Sequence, residues 1–195
     1  MRPTAVPSGF EVAFWFLDRA QSDGEYLQPQ KLQRLMFLAQ AYFGVLQGGA
    51  KLMPATFVAT DDGPQEPTLF KAFARGKPAV DVAPVEELPR HIMDSVWRQF
   101  GAHSPDHLGK LIKRHAPYLD AISVGPGTEI TLEAMVDFYS TDGLTRKKGT
   151  GATAGMGVTA SGAPAAEKVL RPKVLRNHSG KPVSATRWMP KRADS

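Results

Sequence analysis

Residues 31–49 read KLQRLMFLAQAYFGVLQGG, with Leu32, Leu35, Met36, Ala39, Tyr42, Phe43 and Leu46 recurring at steps of three and four. That spacing is the period of a helix face laid against a core. Leu38 and Val45 widen the stripe over most of the circumference, as expected of a central helix touched from several sides. Pro29 belongs in the first turn, where its missing N–H goes unnoticed, and Gly48-Gly49 supplies a left-handed stop. The remaining elements are expected to pack around this helix.

Upstream, Ser8 or Gly9 can cap a helix over GFEVAFWFLDRAQ, with Val12, Trp15, Phe16 and Arg19/Ala20 on one face and Ser22-Asp23-Gly24 ending it. Leu27 sits where a hydrophobic staple would enter the central helix. Downstream, residues 55–60 are too few for a helix and rich in β-formers, which predicts a short strand. Asp61-Asp62-Gly63-Pro64 is a turn, and Pro67 opens a helix that stops at Gly76. Residues 77–85 read as an edge strand or a linker. Residues 86–100 place Leu88, Ile92, Val96 and Phe100 four apart on a helix. Ser104-Pro105 opens another, with Leu108, Leu111, Ile112 and His115 on its face and Pro117 ending it. Thr128 or Thr131 caps a last helix whose inner face is Ile130, Leu132, Met135 and Phe138, and Asp142-Gly143 closes the domain. The class is mainly α: a compact helical domain, residues 1–145, around a central buried helix with a minor short β element.

The charge divides at the same place. Thirteen Lys/Arg against seventeen Asp/Glu leave residues 1–145 at −4, whereas eleven against two put residues 146–195 at +9. From Arg146 onward Gly, Ala, Ser, Thr, Pro and Lys dominate and apolar periodicity vanishes, which predicts a disordered basic tail. Two hydrophobic islands interrupt it, KVLRPKVLR at residues 168–176 and Trp188-Met189. The chain has no cysteine, so a disulfide framework and a thiolate metal site are both excluded. Its longest apolar run, Leu35 to Leu46, is too short to span a bilayer, and Glu11 interrupts what would be the apolar part of a signal peptide. The expectation is a soluble cytoplasmic protein without a membrane partner.

Little in the sequence points to catalysis. His103 and His107 are four apart, but His103 precedes the helix cap and no HExxH or Cys accompanies them, so a metal is not expected. Asp61 and Asp62 serve a turn for backbone reasons alone. No phosphate loop, nucleophile elbow or triad spacing is present, and the chain reads as neither an enzyme nor a cofactor protein. An acidic-leaning helical domain without a catalytic signature, followed by a mobile tail, reads as a binder and tether. The alternative is a nucleic-acid-binding regulator, in which the tail's cations neutralise phosphates and Trp188 stacks on a base.

The ordered set AFWFLDRA, KLQRLMFLAQAYF, FVATDDGPQEPTLFKAF, HAPYLDA and EITLEAMVDFY, over about residues 9–142, resembles the SocA-like or Panacea antitoxin domain, called GepA-like in phage contexts. It departs from that pattern at Asp61-Asp62, where an aromatic commonly precedes Gly-Pro. The resemblance implies a small helical toxin neutraliser whose partners are a cognate SocB-like toxin and the ClpX unfoldase of the ClpXP protease. A rigid Gly-Pro turn can present groups at little entropic cost, so Asp61, Asp62, Gln65 and Phe70 are the expected toxin contacts. The basic residues Lys110, Lys113 and Arg114 form the alternative surface. An adaptor also needs a tether, expected at Leu170, Arg171, Leu175 and Arg176, with Trp188 as a second contact.

Overall fold

A computed structural model describes residues 3–140, 164, 166–170, 175–176 and 182–183 of the chain. Helix α1 spans Gly9–Ser22 and starts on a capping box: Glu11 accepts the Ser8 backbone N–H at 2.9 Å while the Ser8 hydroxyl receives the Phe10 N–H. Helix α2 spans Pro29–Leu46, with Pro29 at its first position and Gly48 and Gly49 both at positive φ beyond its end. Strands β1, Val58–Thr60, and β2, Gly63–Gln65, form an antiparallel hairpin in which Thr60 faces Gly63 across Asp61-Asp62. Then follow α3, Pro67–Phe73; α4, Glu87–Phe100; α5, Pro105–Ile112; α6, Ala116–Val124; and α7, Leu132–Tyr139. Beyond these lie α8, Ala166–Leu170, and a two-residue ladder of β3, Leu175–Arg176, with β4, Pro182–Val183.

Helix α2 is the axis of the packing. Helices α1, α3, α4, α5, α7 and α8 and strand β2 all lie against it, while α6 leans on α7 and β1. Every residue from Lys31 to Gly44 is buried, polar ones included. Gly44 is what lets α7 approach so closely, since a β-carbon there would stand 2.9 Å from both Leu132 Cδ1 and Val136 Cγ2.

The polar residues on this buried helix explain how the loops are placed. Lys31 donates to the carbonyl of Gly101 between α4 and α5, and Gln33 Oε1 accepts the Glu66 N–H at 2.8 Å between β2 and α3. Arg34 donates from Nη1 to the Pro105 carbonyl at 2.5 Å and from Nη2 to the Asp62 carbonyl at 2.7 Å. Gln40 Oε1 accepts the Met53 N–H at 3.2 Å. Buried polar groups must be paired, and these four pair with the backbone of the α2–β1, β1–β2, β2–α3 and α4–α5 connections.

Three expectations need correcting. Pro117 does not end α5, which stops at Ile112; it lies in the first turn of α6, where a proline fits. His115 is therefore the buried N-cap of α6, its Nδ1 at 2.6 Å from the Tyr139 hydroxyl, rather than part of the α5 face. In α4 Leu88 is exposed, and Pro89, Met93 and Trp97 join Ile92, Val96 and Phe100 on the buried side. Of the two readings of residues 77–85, the linker holds.

The expectation of a disordered tail falls mostly outside the described residues. Within them, α8 lies against α2 and α4, with Ala166 and Val169 buried and the Pro164 carbonyl accepting from Tyr42 Oη at 2.8 Å. Among the described residues no helix is long and apolar enough to cross a membrane.

Candidate functional site

The Asp61-Asp62 turn is held from three directions. Three successive backbone carbonyls accept side-chain donors: Thr60 from the Tyr118 hydroxyl at 2.7 Å, Asp61 from Lys113 Nζ, and Asp62 from Arg34 Nη2 at 2.7 Å. These donors come from α6, from the residue that caps α5, and from α2. The Thr60 hydroxyl closes the turn by donating to the Gly63 carbonyl at 2.9 Å, and Gly63 takes the positive φ that the return requires. On its far side β1 is paired as well, since Ala59 N–H donates to Thr128 and Ile130 N–H to Phe57, each at 2.8 Å. A hairpin of this length would be marginal alone; here the anchors supply its order.

With these three carbonyls occupied, the side chains are the main groups that the turn offers. Both Asp61 and Asp62 are exposed, Gln65 is half-buried, and Phe70 on α3 is 39 % exposed beside them. Phe73, one turn along α3, is buried against Phe10 and Phe14 instead. A shallow depression next to the turn is lined by Gln30, Gln33, Arg34, Pro64, Gln65 and Phe70. Asp62, Gln65 and Phe70 thus share one surface, with Asp61 next to them in the turn. Lys113, assigned to the alternative basic face, is half-buried and tied to the turn, whereas Lys110 and Arg114 are exposed. The two candidate surfaces are neighbours joined through Lys113.

The electrostatics of the turn follow from its carboxylates. The Tyr118 phenol is raised above its usual range, first by burial and then by the negative charges of Asp61 and Asp62, so it remains a donor to Thr60. Burial lowers the Arg34 pKa, and Asp106 and Asp62 oppose that shift. An arginine suits this place because its planar fork reaches two carbonyls and keeps its charge.

Arg34 and Tyr118 were not singled out from the sequence. Arg34 sits within an apolar helical run and Tyr118 in a segment taken to follow a helix, and neither pattern signals a donor to a distant loop.

Of the tether residues, Leu170 is half-buried against the core, and Leu175 and Arg176 belong to the β3–β4 ladder. Arg171 and Trp188 lie outside the described residues.

Elsewhere, α1 and α4 border a cleft of about 820 Å³ lined in part by Trp15 and Leu88. Much of its charge is already paired, Asp94 with Arg19 at 3.2 Å and Arg98 at 3.3 Å, and Asp18 with Lys77 at 3.0 Å. The His103 and His107 rings do meet, stacked at 4.6 Å, because the chain folds back at Ser104-Pro105. Burial, with the neighbouring His107 and Lys31, lowers the His103 pKa. Among the described residues no group of three or more His, Asp or Glu is placed to hold a metal ion.

No family model, curated protein or solved structure matches the chain. The clamped turn and its surroundings therefore carry the functional reading on their own geometry and on the sequence resemblance.

Proposed function

We propose that this domain is a protein-recognition module of the antitoxin type. It binds a toxin partner through the clamped turn and delivers it to the ClpX unfoldase of ClpXP by way of residues 168–176. The observation that carries the reading is the triple anchoring of the turn carbonyls. A surface ordered before binding loses little conformational entropy on binding, so even a small patch can serve as a specific contact. Asp61 and Asp62 favour a partner with a basic patch, and the exposed Phe70 gives that contact an apolar centre. The sequence resemblance supports a toxin as the partner class. The net charge of −4 over residues 1–145 disfavours phosphate on the folded domain, which leaves nucleic acid to the basic segment alone.

The test is affinity capture from cells with the full chain and with Asp62→Lys and Gln65→Ala. A protein partner held by the wild type is lost with D62K and reduced with Q65A, while the helical circular dichroism of all three is the same. Capture of the same partner by all three moves the contact off this surface. Retention of nucleic acid that falls steeply between low and physiological salt would instead establish the regulator reading.

A further inference from the structure

Helix α8 is five residues long, and isolated helices shorter than about 12–15 residues are marginal in water. Its form therefore depends on the surface beneath it. That surface belongs to α2 and α4. Ala166 and Val169, three apart and on one side, are buried; Lys168 is exposed and Leu170 half-buried. Tyr42 supplies the polar part of the contact, its hydroxyl donating to the Pro164 carbonyl just ahead of the helix. The Tyr42 ring is itself fully buried, stacked on Phe100 at 6.0 Å and edge-on to Tyr139 at 5.1 Å. The acceptor site is thus built into the core, whereas the described residues of its occupant bring Ala166, Val169, part of Leu170 and one hydrogen bond. A contact that small, made by a segment separated from α7 by residues 141–163, holds the segment in place without locking it.

The location of the contact matters because Val169 and Leu170 open the KVLRPKVLR island. A side chain packed on α2 and α4 cannot at the same time enter a pocket on another protein. We propose that the α2–α4 face is a docking site for a short helix with small apolar residues three apart, occupied in cis by residues 164–170, and that this docking hides Val169 and Leu170 from ClpX. The second half rests on the adaptor reading above; the first does not. The chain then exists as a closed form with Val169 and Leu170 covered and an open form able to bind the unfoldase. The apparent affinity for ClpX is the intrinsic affinity reduced by the fraction that is open.

Two full-length variants separate the parts. Ala166→Glu puts bulk and charge on the docked face without touching the island, and Tyr42→Phe removes the hydroxyl while keeping the ring. Native tryptic cleavage after Lys168 reads the docking, and binding to purified ClpX reads the exposure. Cleavage is expected to rise about ten-fold or more in A166E and about five-fold in Y42F, the latter being the factor that one neutral hydrogen bond represents. ClpX affinity is expected to rise by the same factors in the same order, with the thermal midpoint within roughly 2–4 °C of wild type. Equal cleavage in wild type and A166E overturns the docking. Faster cleavage with unchanged ClpX affinity overturns the hiding. If neither wild type nor variants bind ClpX, the adaptor reading fails and the hiding with it, while the cleavage ratio still decides the docking.

Discussion

The guanidinium carbon of Arg34 lies 3.0 Å from where a β-carbon on Gly109 would stand, so α5 presents bare backbone to the side chain that clamps the turn. Arg34 cannot retreat, because Pro105 and Asp62 hold its two terminal nitrogens. Gly109→Ala gains up to about 1 kcal/mol of helix propensity but incurs overpacking of about 1–3 kcal/mol. The expected result is a net loss of about 1 kcal/mol in urea denaturation. In a double-mutant cycle with Arg34→Ala, most of that loss disappears.

Arg34→Lys keeps the charge and loses the fork. A single ammonium cannot span the Asp62 and Pro105 carbonyls, and a hydrogen bond to a charged group is worth about 1.5–3 kcal/mol. The variant is expected to unfold at lower denaturant by that order. Faster amide exchange around Gly63 would locate the damage at the turn; unchanged exchange there would mean that Lys113 and Tyr118 hold it without Arg34.

Gln33 and Glu66 form a second tie, and their substitutions should differ. Gln33→Ala strands the buried Glu66 N–H, which costs about 1–3 kcal/mol. Glu66→Ala instead removes the side-chain cap on the Leu69 N–H and leaves Gln33 in place, a change of about 1 kcal/mol. Thermal unfolding of the two variants checks the order.

Asp23 gives the fold a specific acid sensitivity. Its carboxylate accepts from Trp97 Nε1 at 2.7 Å, and this bond, with Arg19 beside it, holds its pKa below the ordinary 3.8. A carboxylate depressed in the folded state stabilises fully above its unfolded pKa, and that contribution fades as pH falls through the lower folded value. The stability difference between wild type and Asp23→Asn is therefore expected to be constant from neutrality down to about pH 5 and to shrink as pH falls through 3.8 and below. A difference that persists unchanged to strongly acidic pH would show that Asp23 is not the titrating group.

Helices that announce themselves by local chemistry were legible in the sequence. Ser8, Ser104 and Thr131 each cap the helix they precede, and α2 carries its period and both end signals within one stretch. Helix α6 was missed because Pro117 reads equally as a stop or as a first-turn residue, and because Leu119 and Val124, apolar yet exposed, blur its face. Leu88 misled for the same reason, by fitting a four-residue spacing while facing outward. Asp61, Asp62, Gln65 and Phe70 could be grouped from sequence since they are near one another in the chain. Their anchors could not, because Arg34, Lys113 and Tyr118 reach backbone carbonyls, which every residue possesses and no sequence pattern marks. The seating of α8 was hidden likewise, resting on Tyr42 and a carbonyl that any residue at position 164 would supply.

The ties made by α2 impose an order of events on synthesis. Lys31 bonds to a carbonyl 70 residues further along the chain and Arg34 to one 71 residues further. At roughly 5–20 residues per second, the partners of these side chains leave the ribosome several seconds after α2 itself. Over that interval an apolar helix carrying Lys31, Gln33, Arg34 and Gln40 has α1 to lean on but not α4, α5 or α7. Transiently exposed apolar surface of this kind is aggregation-prone, and α2 is the segment that would present it.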